Sequence, residues 1–401
     1  MRLLITTVAL CATSGVAARA SAQQANLTRA QAVQTALNRG ARIAVAAADT
    51  SLAAAQIVAA RVFPDPSFTA SYSKAVPTQH YALEVPLEFP GLRGPRARSA
   101  QFELAAARVR FHLARATAAL DADTTYTRAI AAREHLTLSR RNALDGDSLL
   151  HMVDRRRTAG DASDMDVELA RVNAGQQENT AAADSLTWIS TLLDLQATLG
   201  STSVNLEINA IDSLEMPPEA RAPGPTTLSE DAATLALTAA TLNAQARHRS
   251  VFSAPTISFG FEHGDPDQPG LLPTLGLGLS LPIFNRQRGE ILVAEAEKIK
   301  AQAELAMAQV EARNQIAHAL RERENALAKV VRDRQLIASA DRVASYSLVA
   351  YREGAASLPN VLEAQRSARD VRGQYIDDLA AAWIATAELR VLSLTPTTQL
   401  P

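Results

Sequence analysis

Four short segments of the chain alternate apolar residues with small or polar ones, and they come in two pairs. The first pair covers residues 67–73 and 81–87, and the second covers residues 256–262 and 274–281. Because successive side chains of a strand point to opposite faces, each segment predicts a β-strand with one apolar face. We expect strands of about nine to eleven residues, which suit a tilted bilayer crossing with lipid on one face and water on the other. Two half-buried hairpins in a soluble sheet are the alternative interpretation.

Two long reaches of the chain are almost free of proline and glycine. Residues 96–159 contain no proline and a single glycine, Gly146, and residues 290–353 contain neither proline nor glycine. A helix spanning one such reach would measure roughly 96 Å. In the second reach, apolar residues recur at coiled-coil-like spacings between charged ones. The pattern predicts a mainly α protein, although a helical rod of another kind would also show it.

The first 22 residues resemble an export signal. A positively charged start is followed by the apolar stretch 3–16 and by Ala20-Ser21-Ala22, which is typical of a signal-peptidase site. Cys11, the only cysteine, lies in this segment, so we predict a mature chain without thiols or disulfides. We find no further uninterrupted apolar run of about 18 residues, so membrane residence would have to use β-strands.

Charge and motif content argue against nucleic-acid binding and catalysis. The 40 basic and 42 acidic side chains leave a net charge of −2, which provides no basic field for phosphates. No nucleophile elbow, phosphate loop or His-Glu-x-x-His motif occurs, and no two histidines stand three or four residues apart. Asp265-Pro266-Asp267 fits a polar turn better than a calcium loop, because prolines interrupt it. We therefore predict no enzyme, no cofactor and no dedicated metal site.

The chain also reads as an internal duplication. Residues 89–94 align with 284–289 at an offset of 195, and residues 160–163 align with 354–357 at an offset of 194. The predicted organisation is a signal peptide (1–22), a first repeat (23–205), an irregular connector (206–227), a second repeat (228–394) and a C-terminal tail (395–401). Each repeat contains a helix, a β-hairpin and a long helical hairpin. The β-hairpins are predicted at 66–88 and 256–282, and the helical hairpins turn near residues 160 and 354.

Four strands are too few to close a membrane barrel, so the protein is expected to oligomerise. Two chains would supply eight strands, an interior that side chains fill, whereas three would supply twelve and a wider lumen. The predicted fold is mainly α, with duplicated long-helix hairpins and four membrane strands per chain, and the resemblance described next implies that these form an α-helical barrel and a trimeric 12-stranded outer-membrane barrel.

Several motifs together resemble the TolC-type outer-membrane efflux factors. They are the Leu27-Thr28 helix start, the run Leu-Pro-Ile-Phe-Asn-Arg at 281–286, Tyr351-x-x-Gly354, and Val-Leu-x-Ala-Gln at 361–365. The run at 284–290 is most similar to the cobalt, zinc and cadmium efflux branch. The resemblance implies a homotrimer in the outer membrane of a Gram-negative-type bacterium, with a helical extension into the periplasm. It also implies a periplasmic adaptor (membrane fusion) protein and an inner-membrane RND-type pump as partners.

The function implied is the passive exit duct of a tripartite efflux system, with heavy-metal cations as one candidate cargo. A periplasmic coiled-coil adaptor or structural protein, and the exit duct of a protein or small-molecule secretion system, stay as alternatives.

The resemblance further assigns roles to three groups of residues. Asp166 and Tyr351 match positions that link neighbouring helix pairs in some family members, and Asn360 stands where many members have an aspartate. The implied groups are an adaptor-contact tip (Gly160, Ser163, Gly354, Ser357), an aperture gate (Asp166, Tyr351, Asn360, Glu363) and strand-to-helix transitions (Pro86, Gly94, Pro282, Gly289).

Overall fold

A computed structural model describes residues 25–88, 91–201, 203, 205–206, 208–220, 222–250, 255–279 and 286–394. The expected signal peptide, Pro282 and the C-terminal tail lie outside the described residues. Within them the chain forms seven helices and six strands: β1 (Ala25–Leu27), α1 (Arg29–Arg39), α2 (Ala41–Arg61), β2 (Ser67–Tyr72), β3 (Gln79–Pro86), α3 (Arg93–Ala159), α4 (Asp164–Thr198), β4 (Ile208–Ala210), α5 (Leu228–Arg249), β5 (Thr256–His263), β6 (Leu272–Gly278), α6 (Arg288–Arg352) and α7 (Leu358–Leu392).

The two predicted long helices are confirmed as α3 and α6. They contain 67 and 65 residues and are therefore each roughly 100 Å long. Helix α4 folds back along α3, α7 folds back along α6, and α3 also contacts α7. Helix α5 packs against both α3 and α6, while α2 packs against α3. The result is an elongated layer of nearly antiparallel helices.

Small side chains let these helices pack closely. The buried positions of α3 include Ala106, Ala116, Ala122 and Ala129, all with no exposed surface. At Gly146 an added Cβ would lie 3.3 Å from the Cα atom of Ala174 on α4. The alanine-rich, aromatic-poor composition therefore reflects helix contacts made at short range.

The main hydrophobic core lies midway along α3, around the fully buried Tyr126. Its hydroxyl donates to the carbonyl of Leu27 at 2.7 Å and lies 3.0 Å from a carboxylate oxygen of Asp212. Burial, with the Asp212 carboxylate as a lesser cause, raises the pKa of Tyr126 to about 12. Beside this ring, Arg29 lies 3.9 Å from the ring centroid of Trp383 and bonds to Asp123. These contacts tie the start of the described chain to α3 and α7.

The expected irregular connector contains a short strand, which corrects that prediction. Strand β4 pairs in parallel with β1, three residues on each side, although the two are far apart in sequence. Such a short strand leaves no periodic pattern to recognise, and contacts with β1, α3 and α4 stabilise it. The two-repeat division stays a prediction, but the order of elements recurs, and Thr28 and Thr227 both form capping boxes at helix starts.

In the described part of the chain one helix, α2, is long and apolar enough to cross a membrane by length and composition alone. It has 21 residues and a mean hydropathy of 1.6, but Asp49, Thr50 and Ser51 interrupt it, so it is not the uninterrupted apolar run whose absence we expected. Its many alanines raise the hydropathy even though charged residues interrupt the run. The helix packs along α3 and pairs Arg42 with Asp121 at 2.8 Å.

Candidate channel elements: the membrane sheet and the helical tip

The two hairpins join into one antiparallel sheet with the order β2-β3-β5-β6. In its register, Phe68, Leu83, Phe259 and Leu275 form one row across all four strands. These side chains are not covered, and Leu275 is 76% exposed. An exposed apolar face of this extent is the pattern of a lipid-facing barrel wall.

The opposite face of the sheet is small and polar. One row consists of Thr69, Ala82, Gly260 and Thr274, and adjacent rows carry serine, glycine, histidine and glutamate, with the apolar Leu272 at the start of β6. The predicted alternation is therefore confirmed on all four strands. A face of this composition can line water in a channel.

The strands are shorter than expected. They contain 6, 8, 8 and 7 residues, whereas the pattern indicated nine to eleven. Strands β2 and β6 are edges, each with one neighbour within the chain. Pairing along an edge strand ends where its only partner ends, so an alternating sequence overstates strand length. Two open edges in lipid would leave backbone groups unpaired, and a further chain must supply their partners.

An ion pair and a hydrogen bond to the backbone stabilise the connection between β3 and α3. Pro86 is the last residue of β3, and Glu88 forms an ion pair of 2.8 Å with Arg96 on α3. The Arg96 Nε atom also donates to the carbonyl of Ala60 at 2.9 Å. Sequence reasoning missed Glu88 and Arg96, because their pairing spans the turn between two elements.

Gly94 and Gly289 are the second residues of α3 and α6. An added Cβ at either position would meet no atom within 4 Å in the described chain. Packing within one chain therefore gives no reason for glycine there, and their assigned role stays a prediction.

The far ends of α3 and α6 close in the same way. Gly160 and Gly354 adopt left-handed conformations with φ of 86° and 75°. After each glycine, a backbone N–H bonds to the carbonyl five residues earlier, from Asp161 and from Ala355, both at 2.8 Å. A left-handed residue after the last helical turn strongly favours glycine. Both glycines therefore form the turns at this end of the long helices.

The two serines of the expected adaptor contact begin the returning helices. Ser163 caps α4, and its hydroxyl and backbone N–H both contact the Asp166 carboxylate, at 2.8 and 3.0 Å. Ser357 caps α7 without a side-chain bond, and Pro359 follows in the first turn. Asp166 thus takes part in a capping box, a structural role that the sequence analysis did not assign to it.

Tyr351 lies buried at the tip with 5% of its surface exposed. It packs against residues of all four long helices, including Leu149, Val167 and Val361. Among the described residues its hydroxyl has no hydrogen-bond partner, so no bond to Asp166 forms within this chain. Burial raises the pKa of the Tyr351 hydroxyl, and the charge of Asp166 adds to that increase while Arg156 opposes it.

Arg156 links the ends of the two long helices. Its guanidinium donates to the backbone carbonyl of Tyr351 and lies 4.7 Å from the centre of the tyrosine ring. Sequence reasoning missed this residue, although three consecutive arginines precede the Gly160 turn. The contact connects α3 to α6 across the repeat, and it is the direct link that the structure shows at the expected gate.

Asn360 and Glu363 lie on the exposed surface of α7, in its first two turns. Glu363 borders a groove between α4 and α7, together with Asn173, Arg366 and Arg369. Within the described part of one chain, neither residue forms a hydrogen bond or ion pair with Tyr351 or Asp166. In the described part of the chain, no group of three or more histidine, cysteine, aspartate or glutamate side chains is arranged to hold a metal ion.

Residues 232–393 match the family model described as outer membrane efflux protein. The second half of the chain therefore matches the TolC-type outer-membrane efflux proteins. Members of this family are passive channels that reside in the outer membrane and extend helices into the periplasm. The apolar sheet face and the long helices are the parts of this chain that such a location requires.

Similar proteins match nearly the whole chain. The cobalt-zinc-cadmium resistance protein CzcC of Cupriavidus metallidurans is 22% identical over 375 residues, which are 90% of this chain and 89% of that protein. A membrane protein from Pseudomonas aeruginosa has a TM-score of 0.79 at 22% identity and covers 91% of this chain and 93% of its own. The outer membrane protein VceC of Vibrio cholerae has a TM-score of 0.75 at 18% identity, with 91% and 96% covered. The Campylobacter jejuni CmeC outer membrane channel has a TM-score of 0.77 at 15% identity, with 100% and 95% covered. The fold is shared over 91% or more of the chain.

Proposed function

We propose that three copies of this chain form the exit duct of a tripartite efflux system that exports divalent heavy-metal cations. The observation that carries the proposal is the four-stranded sheet, which has one exposed apolar face, one polar face and two open edges. Three such sheets joined edge to edge give twelve strands and a lumen lined by the polar face. Two copies would give a barrel of eight strands, whose interior would be filled by side chains.

The metal cargo is supported by two observations. The relative CzcC is named for cobalt, zinc and cadmium resistance and matches most of the chain. In addition, Glu84 and Glu262 lie on the polar face, where carboxylates would favour cations over anions in the lumen. A periplasmic adaptor and an inner-membrane RND-type pump are the partners that this function requires.

We assign the helical tip to adaptor contact and gating. The turns at Gly160 and Gly354, with Ser163 and Ser357 beside them, expose backbone that an adaptor can approach. Arg156 and Tyr351 hold the ends of α3 and α6 together, and Asp166, Asn360 and Glu363 supply polar groups around them. Asp166, whose charge already acts on the Tyr351 hydroxyl within one chain, is the partner that we assign to this hydroxyl in the trimer.

Deletion and complementation test the cargo. A strain lacking this chain should become sensitive to cobalt, zinc or cadmium salts, and a plasmid copy should restore resistance. Detergent extracts of the outer membrane should contain the protein as a trimer. Unchanged metal resistance, together with loss of a secreted protein or small molecule, would favour a secretion duct. Recovery in the soluble periplasmic fraction would favour the adaptor alternative.

A further inference from the structure

An imidazole and a carboxylate lie side by side on the polar face of the sheet. His80 on β3 and Glu262 on β5 are direct register partners. Their Nδ1 and Oε1 atoms are 3.2 Å apart, and the side chains are 35% and 33% exposed. Both residues adjoin the turns 73–78 and 264–271, whereas the other ends of the strands lead toward α3 and α6. The pair therefore lies at the outer mouth of the proposed barrel.

The spacing of the two atoms fits two ligands of one metal ion. Zinc bonds to nitrogen and oxygen are about 2.0–2.2 Å long, so neighbouring donors of a tetrahedral ion are roughly 3.3 Å apart. Imidazole paired with carboxylate suits zinc and other borderline divalent ions. We propose that His80 and Glu262 of each protomer form a binding site for a divalent transition-metal ion, with water completing its coordination. This site rests on the proposed function, because it treats the polar face as the wall of a channel for metal cations.

The surroundings favour cation access. The row next to the pair, toward the helices, contains Ala82 and Gly260, whose small size leaves the lumen side open. The two adjoining turns contain one positively charged residue, Lys74, and two negatively charged residues, Asp265 and Asp267. Negative charge around a channel mouth raises the local concentration of cations. A site with two protein ligands also exchanges its ion readily, which suits the last step of export.

The competing interpretation is a simple hydrogen bond that holds the β3 to β5 register. Equilibrium dialysis of the purified trimer against zinc separates the two, using wild type, His80→Gln, Glu262→Gln and His263→Gln. His263 is the matched control, because its ring lies in the same hairpin but its Nδ1 atom bonds to the Gly270 carbonyl at 3.0 Å. The site predicts that wild type and His263→Gln bind one more zinc ion per protomer than the other two variants.

Equal zinc content in all four proteins would overturn the site and leave the hydrogen bond. Trimer content by size-exclusion chromatography shows whether the variants assemble. If a variant does not assemble, zinc-edge X-ray absorption spectroscopy of the wild-type trimer tests the site instead. The site requires a nitrogen ligand on the zinc ion, so a ligand set made only of oxygen atoms would reject it. The resistance assay above is independent of this binding measurement. If the deletion strain is metal-sensitive but the purified trimer binds no zinc at His80 and Glu262, the site is rejected and the proposed cargo stands. If the trimer binds zinc there but deletion leaves metal resistance unchanged, the proposed cargo is rejected and the site stands.

Discussion

Replacing Leu275 with arginine should prevent assembly far more than the same change at its neighbour Thr274. Leu275 lies at the middle of β6, opposite Phe259, on the exposed apolar face, whereas Thr274 lies on the polar face of the same strand. An arginine facing lipid at the bilayer midplane costs about 2–4 kcal/mol. Three copies per trimer would therefore cost about 6–12 kcal/mol, comparable with the whole stability of an ordinary domain. An arginine facing water costs little.

The assay is the yield of trimer in isolated outer membranes, measured for both variants and wild type on semi-native gels. We expect a strong loss for Leu275→Arg and near-normal yield for Thr274→Arg. Because both changes introduce the same residue into the same strand, general effects on expression cancel. Equal yields would refute the assignment of the two faces, and loss for Thr274→Arg alone would show that the polar face is the one in lipid.

Three further predictions concern the helical part. Tyr126→Phe should lower the free energy of unfolding by about 0.5–1.5 kcal/mol, measured by denaturant titration, because the hydrogen bond from the Tyr126 hydroxyl to the Leu27 carbonyl is lost. Arg156→Met should raise single-channel conductance in planar bilayers by releasing Tyr351, and unchanged conductance would contradict a role in closure. Burial and the neighbouring Asp378 raise the pKa of the Asp333 carboxyl, so its contribution to stability should be complete at acidic pH and decline as the pH rises through that raised pKa. Asp333→Asn should abolish this decline in thermal unfolding followed over pH, and an unaltered decline would reject Asp333 as its source.

Local patterns determined the elements and the faces of this protein. Alternation over a few residues defines which side of a strand is apolar, so the lipid and water faces could be predicted before the strands had partners. The absence of proline and glycine predicted α3 and α6, and the glycines at 160 and 354 predicted the turns, because only the local backbone needs a left-handed residue there. These features depend on neighbours within a few positions, which the sequence displays directly.

Contacts between distant segments were decided by the tertiary structure. The parallel pairing of β1 with β4, the bond from Arg156 to Tyr351 and the register that places His80 beside Glu262 each join residues more than 180 positions apart. No periodicity records such a pairing, because its energy comes from a partner that is close only after folding. Whether Tyr351 is a gate residue or a packing residue likewise depends on which groups surround its hydroxyl. The sequence therefore determined what each element is, and the packing of the long helices and the joining of the two hairpins decided which side chains act together.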